Sequence, residues 1–167
     1  MRKRLDILVI IAFLSSIPAL QAAAFDDHIR LGMYHMGRHE YGRAVSEFEA
    51  ALHLKPDAAA AQYNLGVSLR LWGDLQGAET ALNKALELQP DFPEAHFVLG
   101  LVYGDRAGQE ERGLEQFQAA IAQNPSFADA HFNLGVIQWK RNEIEKASDQ
   151  QIPALPQRRF VQTFGRN

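Results

Sequence analysis

The sequence predicts an all-α solenoid built from antiparallel helix pairs, and two observations lead to this fold class. The dipeptide Leu-Gly occurs four times at spacings of 34, 34 and 35 residues, at Leu31-Gly32, Leu65-Gly66, Leu99-Gly100 and Leu134-Gly135. Within each interval, two apolar stretches have the periodicity of amphipathic helices, and glycine-containing turns separate them. Because one helix pair cannot bury its apolar face alone, consecutive pairs are expected to stack into one continuous core.

The boundaries of the helices follow from turn residues and from the repeat. Pro56, Pro90 and Pro125 end the second helix of the first three units, because proline lacks a donor N–H and disfavours helical geometry in the preceding residue. Pro93 suits a first helical position. The predicted helix pairs are 25–37 with 41–54, 59–72 with 75–88, 93–105 with 110–123, and 128–140 with 143–151.

The fourth unit is predicted to be incomplete. Gln151 stands at the position that holds Phe48, Leu82 and Phe117 in the earlier units, and two prolines follow. We therefore expect its second helix to stop near Ile152. Residues 152–167 form a basic tail. Gln157 to Phe164 could place Phe160, Val161 and Phe164 on the end of the array, and a disordered tail is the alternative.

These repeats resemble the tetratricopeptide repeat (TPR) family between Phe25 and Gln151. Besides Leu-Gly and proline, further positions keep the same spacing, namely Ala51, Ala85 and Ala120, then Phe48, Leu82 and Phe117, then Ala44, Ala78 and Ala147. The resemblance implies a right-handed α-solenoid of three full units and an incomplete fourth, at about 25–58, 59–92, 93–127 and 128–151. It also implies a concave groove lined by the first helix of each unit.

The first 24 residues have the pattern of a secretory signal peptide. Arg2, Lys3 and Arg4 precede an apolar run, and an Ala-x-Ala site would leave Phe25 as the mature N-terminus. This pattern predicts export, with the bacterial periplasm as the expected destination. The alternative is an uncleaved membrane anchor over residues 7–25, a stretch close to the roughly 20 residues that a spanning helix needs.

The composition of the chain excludes some kinds of site and makes some kinds of partner less favourable. The chain has no cysteine, which excludes disulfides and thiolate metal sites. Residues 25–150 carry a formal charge of −8, and an acidic body is a poor electrostatic platform for nucleic acid. We expect a membrane partner only if the N-terminal segment is retained.

No group of residues predicts catalysis. Ser68 and Ser148 have no recognisable His–acid arrangement, and the turn around 104–113 lacks the Lys-Ser/Thr pair of a phosphate loop. His35 and His39 have a spacing that can serve a metal, but Gly37 lies between them at the expected helix end and no third ligand follows. We therefore expect no enzymatic activity, no cofactor and no metal.

Aromatic and amide side chains on the first helices, together with one arginine, are the candidate binding residues. They stand shortly before each Leu-Gly or one to two turns beyond it, and the resemblance places them in the groove: Tyr63, Asn64, Arg70, Phe97, Phe132, Asn133 and Trp139. An asparagine amide both donates and accepts, so it matches the backbone of an extended peptide. The alternative assigns the aromatic residues to helix packing alone.

The predicted groove holds few cations, and this limits which peptides it can bind. Arg30 and Arg70 are the only basic residues at the groove positions of the first three units. We therefore expect an apolar or basic peptide rather than one held by its carboxylates. The predicted function is an exported, non-enzymatic module that binds an extended segment of a partner protein. The alternative is a structural assembly module that works through the ends of the array or through an N-terminal anchor.

Overall fold

Seven helices and no strand make up the part of the chain that the structure describes. The computed structural model describes residues 2–149, with the side chains of residues 18–142. The helices are α1 Arg2–Gly37, α2 Tyr41–Leu54, α3 Ala59–Trp72, α4 Leu75–Leu88, α5 Pro93–Gly104, α6 Glu110–Gln123 and α7 Ala128–Asp149. We call α1, α3, α5 and α7 the first helices and α2, α4 and α6 the second helices.

The predicted boundaries are confirmed for the middle of the array. The observed bounds of α2, α3, α4 and α6 are those predicted, and α5 ends one residue early. Each helix packs against the next one along the chain, so α1–α2, α3–α4 and α5–α6 form pairs that stack in order. The all-α helical repeat solenoid predicted from the Leu-Gly spacing is therefore confirmed.

The core is built where a second helix crosses the glycine of a first helix. Phe48, Leu82 and Phe117 are buried on α2, α4 and α6. A Cβ placed on Gly32 or Gly100 would lie 2.6 Å from the ring of Phe48 or Phe117 respectively. Glycine at these positions lets a large side chain fill the space against the first-helix backbone, which gives interior packing density.

The first helix is longer than predicted. α1 begins at Arg2 and continues without a break through Ala24 and Phe25, where we predicted a domain boundary. Alanine has the highest helix propensity of all residues, so Ala22 to Ala24 favour continuation of the helix. Among the described residues, none of the helices contains a stretch long and apolar enough to cross a bilayer. Cleavage after Ala24 stays a prediction.

The predicted division of the fourth unit into helices 128–140 and 143–151 is wrong within the described residues. α7 runs from Ala128 to Asp149 without a turn at 141–142. In units one to three, the turn contains a residue with positive φ, at His39, Gly73 or Gly108. Lys140, Arg141 and Asn142 include no glycine, which is the residue that adopts this conformation in units two and three. The predicted stop near Ile152 and the tail lie outside the described residues.

A polar cluster joins units two and three. Glu79 on α4 accepts a hydrogen bond from the Tyr103 hydroxyl on α5 at 2.9 Å and from Arg112 on α6 at 3.0 Å, and it also pairs with Arg106. Burial raises the pKa of Glu79, but the hydrogen bonds from Arg106 and Tyr103 outweigh it and hold that pKa below its ordinary value of 4.5. The carboxylate therefore stabilises the folded chain.

Glu79→Gln is expected to lower the stability of the fold by about 1–2 kcal/mol at pH 7, because it removes the charge from a largely buried hydrogen-bonded cluster. Since the folded pKa of Glu79 is depressed, its contribution is present above pH 4.5 and is lost as the pH falls toward the folded pKa. Denaturant unfolding between pH 3 and pH 7 measures both effects.

Glu87→Gln on the same helix is the matched control. Glu87 pairs with Lys84 at 2.8 Å, but both side chains are exposed. An exposed pair of this kind contributes about 0–1 kcal/mol. A loss for Glu79→Gln no larger than that for Glu87→Gln, or one that persists unchanged at acid pH, would contradict the assigned role of Glu79.

Candidate functional site

Exposed apolar surface is concentrated on the first helices. Eight of the ten exposed large hydrophobic residues in the described part of the chain lie on α1, α3 or α7, at Leu20, Leu31, Met33, Tyr34, Leu71, Trp72, Phe132 and Trp139. The other two, Leu54 and Leu88, are the last residues of α2 and α4. The first helices therefore present the surface with the greater capacity to bind apolar side chains.

Tyr63 and Phe97 are half-buried in contacts between units. The ring centroids of Tyr63 and Phe92 lie 4.9 Å apart, and those of Phe97 and Phe127 lie 5.0 Å apart. Phe97 also lies 5.7 Å from Phe117 in the core. Burial and the nearby Glu94 carboxylate raise the pKa of the Tyr63 hydroxyl. Both aromatic rings thus take part in helix packing and leave part of their surface accessible.

The two candidate asparagines have different surroundings. Within the described part of the chain, the side chain of half-buried Asn64 makes no hydrogen bond, and its backbone carbonyl accepts one from the buried Ser68 hydroxyl at 2.8 Å. The Asn133 amide nitrogen donates to the Asp129 carbonyl at 2.7 Å in the same helix. Both the oxygen and the nitrogen of the Asn64 side-chain amide are therefore available to a ligand, whereas the amide nitrogen of Asn133 is already engaged.

The cations at groove positions are paired with aspartates. Arg70 on α3 contacts Asp105 at 2.8 Å, and the two side chains are 20% and 28% exposed. Arg30 on α1 pairs with Asp27 in the preceding turn. The half-buried Arg70 guanidinium is therefore already engaged by a carboxylate of the chain itself, whereas the Arg30–Asp27 pair is exposed and weak.

Phe132 and Trp139 on α7 are the most exposed of the candidate residues, at 64% and 65%. Sequence reasoning did not select Tyr34, Leu71 and Trp72, which extend the exposed apolar surface along α1 and α3. All three lie in the last turn of a first helix, close to the residue that ends it. This position in the repeat is the feature of the sequence that could have identified them.

The histidines have separate partners. His35 Nδ1 lies 2.7 Å from Glu40 Oε2, and His39 Nδ1 lies 2.7 Å from the Tyr41 hydroxyl. Hydrogen bonds from Arg38 and His35 lower the pKa of Glu40 to about 2. Among the residues that the structure describes, no three His, Asp or Glu side chains form a group suited to a metal ion.

Comparison with known proteins agrees with this geometry. A family model described as "Tetratricopeptide repeat" matches residues 29–91 and 73–104, and one described as "TPR repeat" matches residues 107–142. The peroxisomal targeting signal receptor of Candida albicans is 34% identical over 76 residues, which are 46% of this chain and 13% of the receptor. The chain thus spans a small part of the length of this curated relative.

Solved structures show the same fold. The crystal structure of MamA is similar with a TM-score of 0.67 and 25% identity, over 75% of this chain and 72% of MamA. The first TPR of Spaghetti (RPAP3), bound to the HSP90 peptide SRMEEVD, has a TM-score of 0.67 and 14% identity, over 70% of this chain and 92% of that one. With its repeat spacing, its stacked helix pairs and these family matches, the chain belongs to the tetratricopeptide repeat family.

Proposed function

We propose that this chain is a non-enzymatic protein-interaction module that binds an extended segment of a partner along the groove formed by its first helices. The concentration of exposed apolar side chains on these helices is the observation that carries the proposal. The RPAP3 domain holds a peptide of HSP90 on the same fold. Ser68 is fully buried and donates to a backbone carbonyl, which suits a structural role rather than that of a nucleophile.

The chemistry of the groove favours an apolar or basic segment. The RPAP3 ligand, SRMEEVD, is acidic. In this chain Arg30 and Arg70 are paired with Asp27 and Asp105, and residues 25–150 carry a formal charge of −8. An acidic body attracts basic partners and repels acidic ones. Such a segment would be held by its apolar side chains, which insert between the first helices, and by hydrogen bonds between its backbone and the Asn64 amide.

Site-specific photo-crosslinking in the native cell tests the groove. A photoreactive residue at Met33 or Leu71, both exposed on first helices, is expected to capture the partner. Glu49 on α2 and Gln118 on α6 are the matched control positions, because they are also exposed but lie on second helices. Capture that is equally strong from both sets of positions would contradict binding in the groove.

A structural assembly module is the second candidate. The Leu31 side chain is 45% exposed at one end of the array, and no side chain covers Gly135 at the other end within the described residues. Such a module would work through these ends. If the chain has this function, photoreactive residues at Leu31 and Gly135 should crosslink to a partner, and one at Leu71 should not.

We further propose that the chain is exported and loses residues 1–24. The basic start, the apolar run and the Ala-x-Ala sequence support cleavage. Intact-mass measurement of the native protein is expected to show Phe25 at the N-terminus. Recovery of the full-length chain from the membrane fraction would instead support an anchor formed by residues 7–25.

A further inference from the structure

Two pairs of aromatic rings occupy equivalent places between successive units. Tyr63 of α3 packs against Phe92, which lies just before α5, with ring centroids 4.9 Å apart. Phe97 of α5 packs in the same way against Phe127, which lies just before α7, at 5.0 Å. All four side chains are half-buried, so each pair keeps part of its surface accessible. The same aromatic arrangement therefore occurs twice along the first helices.

An acidic residue accompanies each ring pair. Glu94 and Asp129 come two residues after Phe92 and Phe127, in the first turns of α5 and α7. Both acidic side chains are exposed, and neither makes a hydrogen bond or an ion pair within the described part of the chain. Burial and then the charge of Glu94 raise the pKa of the Tyr63 hydroxyl, so this carboxylate lies near its ring pair. We call the two sets the second-junction cluster, Tyr63, Phe92 and Glu94, and the third-junction cluster, Phe97, Phe127 and Asp129.

The junction between units one and two lacks this arrangement. Ile29, Ala58 and Ala60 stand at the corresponding positions. Ile29 and Ala58 nevertheless pack against the core, and α2 packs on α3 as α4 packs on α5. Stacking of the units therefore does not require two aromatic rings and an acidic residue at the junction.

The chain itself shows which group such an arrangement binds. The Arg112 guanidinium lies 4.0 Å from the centroid of the Tyr103 ring and donates to the Glu79 carboxylate at 3.0 Å. The ring attracts the cation through its π face, and the carboxylate supplies the opposite charge. Among the described residues, no lysine or arginine lies over the rings of the two junction clusters. These clusters therefore offer the same chemistry to a cation from outside the chain.

We propose that the second-junction and third-junction clusters are two subsites for lysine or arginine side chains of the bound segment. This inference rests on the proposed function and narrows it from an apolar or basic segment to a basic one. In each subsite, the aliphatic stem of the basic side chain packs on the rings and its charged group meets the carboxylate. The formal charge of −8 over residues 25–150 favours the same partner.

The distance between the clusters limits the spacing of the basic residues. The clusters are one unit apart, and α3 and α5 contact one another in the stack. Packed helices lie about 8–10 Å apart. In a polyproline II segment, side chains three residues apart are separated by about 9 Å. The segment is therefore expected to carry two basic residues with two other residues between them.

Peptide binding to the full chain, measured by fluorescence anisotropy, tests the two subsites. The probe is a fluorescein-labelled peptide of proline and leucine that carries two lysines with two residues between them. It is expected to bind about tenfold more tightly than a reference peptide with norleucine in place of both lysines. Equal affinity for the two peptides, or binding of neither, would overturn the proposal. Capture of a partner from Met33 and Leu71 would still support the groove in that case, so the two failures are distinguishable.

Glu94→Gln with Asp129→Asn tests where the lysines bind. This double variant is expected to lose the preference for the lysine peptide and to bind the reference peptide as wild type does. Glu49→Gln with Glu115→Gln is the matched control, because it removes the same charge from exposed positions on second helices. Helical circular dichroism checks that both variants are folded. A preference that survives in the first variant, or is lost equally in the control, would overturn the proposal.

Discussion

Gly66→Leu is expected to lower the stability of the fold by about 3 kcal/mol, near the upper end of the usual cost of overpacking a core. A Cβ on Gly66 would lie 2.6 Å from Leu82 Cγ and 3.3 Å from the Ala78 carbonyl oxygen. The Leu82 side chain is fully buried, and the carbonyl belongs to the α4 backbone, so neither can move away without separating α3 from α4. Thermal and denaturant unfolding measure the loss.

Gly66→Ala and Gly135→Ala form a matched pair that separates close packing from helix propensity. Both residues follow leucine in a first helix, but among the described residues only Gly66 has neighbours at its Cβ position. Gly135→Ala is expected to leave stability unchanged or to raise it by up to about 1 kcal/mol, because alanine is the better helix former. Gly66→Ala is expected to lower it. Equal unfolding midpoints for the pair would refute the assigned role of Gly66.

Asn64→Ala is expected to weaken binding of the crosslinked partner by about 0.5–1.5 kcal/mol for each lost hydrogen bond, which is up to roughly tenfold in Kd. The side chain makes no hydrogen bond within the described part of the chain, so its removal leaves no internal group unpaired. Stability should therefore stay within about 0.5 kcal/mol of wild type. A smaller loss of affinity is expected for Asn133→Ala, because the amide nitrogen already donates to Asp129.

Titration calorimetry of each single variant and of the double variant, together with thermal unfolding, measures these effects. Gln118→Ala is the matched control, since it removes an exposed amide from a second helix. Full affinity in the double variant would exclude the groove and favour assembly through the ends. A loss of stability would assign the asparagines to the scaffold.

The central helices could be predicted because local signals and tertiary packing agree there. The proline at 56 or 90 and the glycine at 73 end helices through the geometry of their own backbone, so their effect is visible in the sequence. Leu-Gly marks the close approach of two helices because only a residue without a side chain fits beneath Leu82 or Phe117. The regular repeat makes these positions visible in the sequence before the contacts that they form are known.

The candidate site was predicted less completely, because spacing along a helix does not reveal which partners a side chain finds. The sequence predicts Arg70 as a groove cation, but only the fold brings Asp105 of the next unit to 2.8 Å from it. The sequence predicts Tyr63 and Phe97 as groove residues, but Phe92 and Phe127, which lie just before α5 and α7, cover part of both rings. Asn64 keeps an available amide because no neighbouring unit supplies a partner within the described residues.

By itself, the sequence determined the repeat, its period and the ends of the central helices, because each depends on residues within one or two turns. The tertiary structure decided which side chains remain exposed or paired, since these depend on the unit that follows. α7 shows the difference. Its Leu134-Gly135 has the repeat pattern, yet no residue in the described part of the chain packs on Gly135, because α7 continues to Asp149 instead of turning back into a second helix.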